Sequence, residues 1–162
     1  MTSMLNRQWR TMESRKPVEN IVATLAEQFK GVKTVYIGTD SQQDGQKTQY
    51  VTVIVIHTPG KGGRAFYTVE TVPRIKSLRE RLVKEAWMSV ELALEVNPML
   101  DEQSDLQIHI DANPNVKFKS SQYVKELVSL VVSQGFEAKI KPEAVAAMHV
   151  ADHVVKYKVI GR

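Results

Sequence analysis

The stretch Thr34-Val35-Tyr36-Ile37-Gly38-Thr39-Asp40-Ser41-Gln42 is the part of the sequence that most constrains the fold. A β-branched and aromatic run ends there in a glycine, a threonine and an acid, which is typical of a buried strand that reaches its end at Asp40. The stretch Leu106-Gln107-Ile108-His109-Ile110-Asp111 repeats the arrangement. Two strand-terminal aspartates in one small α/β chain indicate a metal site.

Composition limits the classes of protein and of site that need to be considered. At 162 residues the chain is long enough for one domain with its own core. The absence of cysteine excludes a disulfide framework, a thiolate zinc site and a cysteine nucleophile, and it fits a reducing, cytoplasmic location. The formal charge of +4 permits a polyanionic partner without requiring one.

Residues 1–16 are predicted to form an N-terminal basic arm, and residues 17–162 a single domain. The cationic side chains of the arm surround Trp9, and they are Arg7, Arg10, Arg15 and Lys16. A partly ordered, solvated arm is the favoured interpretation, because charge runs usually face water. Contact with a phosphate backbone is the alternative.

Hydrophobic periodicity predicts alternating strands and helices over the rest of the chain. The predicted strands cover residues 34–39, 49–57, 64–72, 106–111 and 136–140, and the predicted helices cover 17–31, 76–96, 121–133 and 144–158. A turn at Asp44-Gly45 makes the first three strands an antiparallel meander. Strands that follow helices are expected to pair in parallel. The prediction is an α/β fold with a five-stranded mixed sheet and helices on both faces.

Four acids occupy positions where an isolated charge would be costly. Asp40 and Asp111 end strands, Glu85 lies at the edge of a buried helical stripe, and Asp152 lies in an apolar stretch of the last helix. Clustered carboxylates repel one another, and a divalent cation removes that conflict. Oxygen ligands favour Mg²⁺ or Mn²⁺ over zinc. Two such ions ~3.5–4 Å apart hold the attacking water and the leaving oxygen of a phosphodiester.

This order of elements, with acids at those four places, resembles the ribonuclease-H-like fold. The local sequences that carry the resemblance are Ile37-Gly38-Thr39-Asp40-Ser41-Gln42, Arg81-Leu82-Val83-Lys84-Glu85, Ile108-His109-Ile110-Asp111, Gly135-Phe136 with Lys141-Pro142, and Ala151-Asp152 with Lys156. Together they are similar to the YkuK-like family of ribonuclease-H-like proteins, from about Val32 to Lys158. The resemblance implies a metal-dependent nuclease that acts on RNA or DNA.

The resemblance also implies roles for single residues. The metal ligands and catalytic acids would be Asp40, Glu85, Asp111 and Asp152. Ser41 and Gln42 would flank the site, with Gln42 orienting a water or a phosphate. Lys141 and Lys156 would contact phosphate or balance the acidic cluster.

Other interpretations of these residues stay open at this point. Asp40 and Asp111 could cap loops, because aspartate is common in turns. His57 and His109 are more often structural than catalytic at such positions. The whole chain could also be a module that binds nucleic acid or protein on the same fold without turnover.

Overall fold

A seven-stranded mixed sheet forms the centre of the protein in the computed structural model, which describes residues 3–141. The strands are β1 (Trp9–Thr11), β2 (Pro17–Val18), β3 (Thr34–Asp44), β4 (Lys47–Thr58), β5 (Gly62–Pro73), β6 (Asp105–His109) and β7 (Glu137–Lys139). Their order is β2-β1-β5-β4-β3-β6-β7. All pairs from β2 to β3 are antiparallel, whereas β6 is parallel to β3 and β7 is parallel to β6.

The central meander follows from the sequence pattern. The predicted turn at Asp44-Gly45 is confirmed, because Asp44 pairs with Lys47 across a two-residue connection. Gly45 has a φ of 59°, a backbone conformation that glycine adopts without steric cost. β4 is a nearly continuous run of valine, isoleucine and threonine, and it is paired on both sides by β3 and β5.

Three α-helices are described between residues 3 and 141. They are α1 (Ile21–Gln28), α2 (Leu78–Val96) and α3 (Val124–Ser133), and short 3₁₀ turns lie at Met4–Asn6, Asn97–Met99 and Lys119–Tyr123. The Ser77 side chain caps α2 by accepting a hydrogen bond from the Glu80 backbone N–H. Helix α2 connects β5 to β6, and so permits the parallel pairing of β6 with β3. None of these helices combines the length and the apolar character needed to cross a membrane.

The core lies mainly on one face of the sheet. All three described helices contribute to that cluster, for example Leu25 from α1, Leu92 from α2 and Leu127 from α3. Val51, Val53 and Tyr67 form a second buried cluster, to which none of the helices described within 3–141 contributes. The helix predicted over 144–158 lies outside the described residues.

The sheet has seven strands instead of the predicted five, and the two additional strands precede the first helix. Pro17, which we expected to open that helix, lies in β2, and the helix begins at Ile21 after the Asn20 side chain caps it. Strands of two and three residues are too short to produce a recognisable alternation of polar and apolar residues. The strands β1 and β2 were therefore not predicted from the sequence.

The N-terminal segment is joined to the core by two buried side chains. Trp9 is fully buried, and its Nε1 donates a hydrogen bond of 2.9 Å to the Met4 carbonyl oxygen. Met4 is also fully buried, and its backbone N–H donates to Glu95 Oε2 at 2.8 Å. Met4 and Trp9 thus pack in the domain core, whereas Asn6 and Gln8 are exposed.

Candidate functional site

Three of the predicted acids converge in the structure. Asp40, Glu85 and Asp111 each offer a carboxylate oxygen, and these oxygens all lie within 4.8 Å of one another. Asp40 comes from β3, Glu85 from α2, and Asp111 from the chain two residues beyond β6. The parallel pairing of β3 with β6 ends at Gly38 and His109, so the chain after His109 runs beside the continuing strand β3. This pairing brings the two aspartates together.

The sequence pattern predicted that the strand ends at Asp40, but Asp40 is not the last residue of β3. β3 continues to Asp44, because its residues 41–44 pair with β4 up to the hairpin turn. What ends near Asp40 is the neighbouring strand β6. The aspartate therefore lies at a step in the sheet, where β3 extends beyond its shorter neighbour.

Glu85 is the buried member of the cluster. Its side chain accepts a hydrogen bond from Ser41 Oγ, and only 4% of the residue is exposed. Burial raises the pKa of Glu85 well above its ordinary value; the charges of Asp40 and Asp111 raise it further, and the Ser41 hydrogen bond acts in the opposite direction. A cavity of about 10 Å³, roughly the room of one water molecule, lies beside Glu85 and Asp111.

Buried hydroxyl groups fix α2 against the sheet next to Glu85. Thr39 Oγ1 is 2.8 Å from Ser89 Oγ on α2 and 3.0 Å from Thr52 Oγ1 on β4. Ser89 lies one helical turn from Glu85, so this network sets the position of the acid. Neither Ser89 nor this network was among the features predicted from the sequence. A hydroxyl residue on an otherwise buried helical face was the available signal.

Lys141 lies directly against the cluster. Its Nζ is 2.9 Å from Asp111 Oδ1, and its side chain is 46% exposed. Backbone hydrogen bonds from Ile110 N–H to the Lys139 carbonyl and from Lys141 N–H to the Ala112 carbonyl hold this segment beside the chain that leaves β6. The predicted role of Lys141 in balancing the acids remains a prediction, and the contact with Asp111 is the geometry on which it depends.

His109 is the last residue of β6, two residues before Asp111, and is buried. Burial lowers the pKa of His109 to about 4, and the charge of Lys139 lowers it further. Its ring lies 4.9 Å from the ring of Tyr36, centroid to centroid. A histidine that stays neutral near pH 7 and packs on an aromatic ring is in an environment typical of a structural role.

The remaining predicted site residues are placed as follows. The Ser41 backbone N–H donates to Asp40 Oδ1 at 2.9 Å, while its hydroxyl bonds Glu85, so Ser41 links two of the acids. Gln42 is half-buried and pairs with Gln49 on β4. Asp152 and Lys156 lie outside the described residues.

The donor set of the cluster suits a hard divalent cation. All three groups are carboxylates, and oxygen-only ligands are the type that Mg²⁺ and Mn²⁺ prefer. Glu85, held close to two further acids in a buried position, is the group whose charge such a cation would stabilise most.

Sequence comparison identifies proteins that are similar to this chain. A family model described as "Ribonuclease H-like" matches residues 16–156. A Bacillus subtilis (strain 168) protein, named "Uncharacterized protein YkuK", is 28% identical over 152 residues, which cover 86% of this chain and 88% of that protein.

Two solved structures were also found by structural comparison. Ribonuclease H1 from the halophilic archaeon Halobacterium salinarum NRC-1 has a TM-score of 0.39 at 16% identity, covering 78% of this chain and 98% of that one. The N-terminal ribonuclease H domain of Rv2228c from Mycobacterium tuberculosis has a TM-score of 0.37 at 12% identity, covering 78% of this chain and 99% of that one.

Proposed function

The chain belongs to the ribonuclease H-like family, and on this premise we propose that it is a divalent-metal-dependent nuclease acting on RNA or DNA. The observation that carries the proposal is the convergence of Asp40, Glu85 and Asp111 from three separate elements, with their oxygens within 4.8 Å. We assign the metal-ligand role to these three acids. The same role for Asp152, and phosphate contact for Lys156, are proposed from the family resemblance alone.

The residues around the acids have distinct tasks in this proposal. The three acids would hold divalent ions, and these would activate a water and stabilise the leaving oxygen of a phosphodiester. Ser41 holds Glu85 and Asp40 in position through its hydroxyl and its backbone N–H. Gln42 orients the water or the scissile phosphate. Lys141, beside Asp111 and half-exposed, contacts a substrate phosphate.

Calorimetric titration with Mn²⁺ tests the metal site. We expect the native chain to bind Mn²⁺ and the Asp111→Asn variant to lose most of that binding, because a carboxylate oxygen becomes an amide. Asp105→Asn is the matched control, since Asp105 is exposed at the other end of β6 and its loss removes the same charge. Equal binding by all three proteins would contradict the site.

Cleavage of end-labelled RNA, DNA and hybrid oligonucleotides in Mn²⁺ tests the reaction. We expect the native chain to cleave at least one of these substrates, and Asp40→Asn to cleave none. A native chain that binds Mn²⁺ and leaves every substrate intact would contradict the nuclease and retain the metal site.

The Lys141–Asp111 ion pair favours one alternative, a binding module without turnover on the same fold. The ammonium group compensates one carboxylate of the cluster without any metal ion. Under this alternative, Asp40→Asn leaves nucleic-acid or protein binding intact and the native chain shows no turnover. The cleavage assay therefore separates the two functions.

A further inference from the structure

The segment that follows Asp111 displays apolar side chains to solvent. Residues 114–119 are all exposed, and they include Val116, which is 91% exposed, and Phe118, which is 43% exposed. We call residues 113–120 the lysine loop, because lysines alternate with these two apolar side chains. An exposed apolar patch rimmed by charged side chains is typical of an interaction site.

The charge of this segment is uniformly positive. Residues 112–125 contain three lysines and no acid, and the lysines are Lys117, Lys119 and Lys125. Within the part of the chain that the structure describes, Lys117 and Lys119 form no ion pair. Lys117 Nζ instead lies 5.2 Å from the centre of the Phe118 ring. The lysine loop thus combines an aromatic ring with cations that can accept an anionic ligand.

Hydrogen bonds fix the shape of the lysine loop. The Asn113 backbone N–H donates to Ser120 Oγ at 3.1 Å, which closes the loop. The Asn115 backbone N–H donates to Asn113 Oδ1 at 2.9 Å, and the Phe118 backbone N–H donates to the Asn115 carbonyl at 3.0 Å. Phe118 is therefore presented on an ordered turn, which reduces the conformational freedom lost when a ligand contacts it.

The lysine loop is joined to the acidic cluster by the chain itself. Asn113 follows Asp111 by two residues, and Phe118 precedes Ser120 by two residues. At ~3.6 Å per residue, and with the 3.1 Å hydrogen bond between Asn113 and Ser120, the Cα atoms of Asp111 and Phe118 are at most roughly 21 Å apart. A stacked strand spans that length in about six nucleotides at ~3.4 Å each. The Asp111 side chain is 25% exposed, so the cluster is open to solvent at the residue that adjoins the loop.

We propose that the lysine loop binds a single-stranded segment of the nucleic acid whose scissile phosphate lies at the acidic cluster. This inference rests on the proposed function and specifies its substrate as single-stranded. A base stacks on the Phe118 ring, and Lys117 and Lys119 contact neighbouring phosphates, since surfaces that bind single strands combine aromatic rings with cations. A paired base is stacked on its neighbours, so it must leave the duplex to cover the ring. Two apolar side chains cover far less than the ~800 Å² per partner of a stable protein interface, which favours nucleic acid over a protein.

Binding of a fluorescent 20-mer DNA, measured by anisotropy in EDTA, tests the proposal with the DNA as a single strand and as a duplex. We expect the native chain to prefer the single strand at ~0.1 M salt. Phe118→Ala should weaken single-strand binding about fivefold or more, the lower end of the effect of one base–aromatic stack, and should leave duplex binding unchanged. Phe118→Tyr should bind like the native chain, because it keeps an aromatic ring.

The two lysines are tested by the salt dependence of single-strand binding. Each phosphate contact contributes about 0.7 to the slope of log K against log [salt] for a single strand. Lys117→Gln/Lys119→Gln should therefore reduce the magnitude of that slope by about 1.4.

Matched controls remove the same groups elsewhere. Trp87→Ala is the control for the ring, because Trp87 is 41% exposed and follows the buried Glu85 by two residues, which places it on the outer face of α2. Lys30→Gln/Lys61→Gln is the control for the charges. Both lysines are exposed and lie near the beginning of β3, whereas Asp40 lies six residues further along that strand. Thermal melting of each variant shows whether it is folded.

Several results would overturn the proposal. They are a native chain that binds no oligonucleotide, a native chain that does not prefer the single strand, a Phe118→Ala variant that binds the single strand as Trp87→Ala does, and a Lys117→Gln/Lys119→Gln slope equal to that of its control. A dimer in size-exclusion chromatography that Phe118→Ala dissociates, with DNA binding unchanged, would make the lysine loop a contact between protein chains.

The test separates this proposal from the nuclease. Binding is measured in EDTA, where no metal-dependent cleavage occurs. A native chain that never cleaves in Mn²⁺, but whose single-strand binding depends on Phe118, supports the lysine loop and removes the nuclease. A chain that cleaves, and whose binding is the same with and without the Phe118 ring, does the reverse.

Discussion

At the scale of single residues, the acidic cluster brings several negative charges close together. Three carboxylates with oxygens within 4.8 Å repel one another, and one of them is buried. The described structure compensates in part through Lys141, which pairs with Asp111 at 2.9 Å. A metal ion that takes the same oxygen of Asp111 must displace this ammonium group.

Lys141→Met should therefore strengthen binding of Mn²⁺. The pair is half-exposed, and exposed ion pairs contribute at most about 1 kcal/mol. We therefore expect the Kd for Mn²⁺ to fall roughly two- to fivefold. Calorimetric titration measures it. Lys139→Met is the control, since Lys139 pairs with Glu137 and its loss removes the same charge two residues away from Lys141. Weaker binding in Lys141→Met would show that the lysine assists the site.

The sequence identified the three converging acids but not how they are held. Asp40 and Asp111 follow apolar runs, and Glu85 lies at the edge of a helical stripe, so each position has a local signature. The contact between Lys141 and Asp111 depends on how β7 lies beside β6. Such contacts between distant segments leave no periodic pattern in a single sequence, and only the family resemblance suggested that Lys141 lies near the acids.

At the scale of elements, the N-terminal segment differs most from expectation. Its basic residues suggested a solvated arm, yet β1 extends the sheet next to β5 and Trp9 is fully buried. A lone tryptophan among charged residues has no periodicity that indicates burial. The longer strands β4 and β5 and the helix α2 have such periodicity, and their ends were predicted within two residues, whereas β3, predicted to end at residue 39, continues to Asp44.

Trp9→Ala should destabilise the whole domain. Removing a fully buried tryptophan costs about 3–5 kcal/mol, and the change also removes the hydrogen bond to the Met4 carbonyl. Urea unfolding followed by circular dichroism measures the free energy of unfolding. Lys16→Ala is the control within the same segment, because Lys16 is exposed and should change stability by less than about 0.5 kcal/mol. A similar small change in both variants would mean that the segment is a dispensable arm.

At the scale of the whole molecule, the cluster makes stability depend on pH. The folded protein raises the pKa of Glu85 well above its ordinary value of 4.5, whereas the unfolded chain does not. Between those two pKa values the folded state binds more protons than the unfolded state, so stability falls as pH rises. Without a metal ion, the site therefore contributes less to the free energy of unfolding at neutral pH than at acidic pH.

Urea unfolding of the native chain and of Glu85→Gln, in EDTA from pH 4 upward, tests this dependence. The stability of the native chain relative to the variant should be greatest below pH 4.5 and should decline as pH rises toward the raised pKa. Adding Mn²⁺ at neutral pH should stabilise the native chain more than the variant, because a ligand that binds only the folded state stabilises it. A difference that is constant across pH would contradict the prediction.

The parallel pairing of β3 with β6 also has a consequence for folding and for fragments of the chain. Asp40 and Asp111 are distant in sequence, and they are neighbours because β6, which follows α2, pairs with β3; their contact is therefore a long-range one. No fragment that stops before β6 contains the aspartate of that neighbouring segment. The proposed metal site is accordingly complete only in a chain that includes β6 and Asp111, and binding of Mn²⁺ during refolding should begin when β6 pairs with β3.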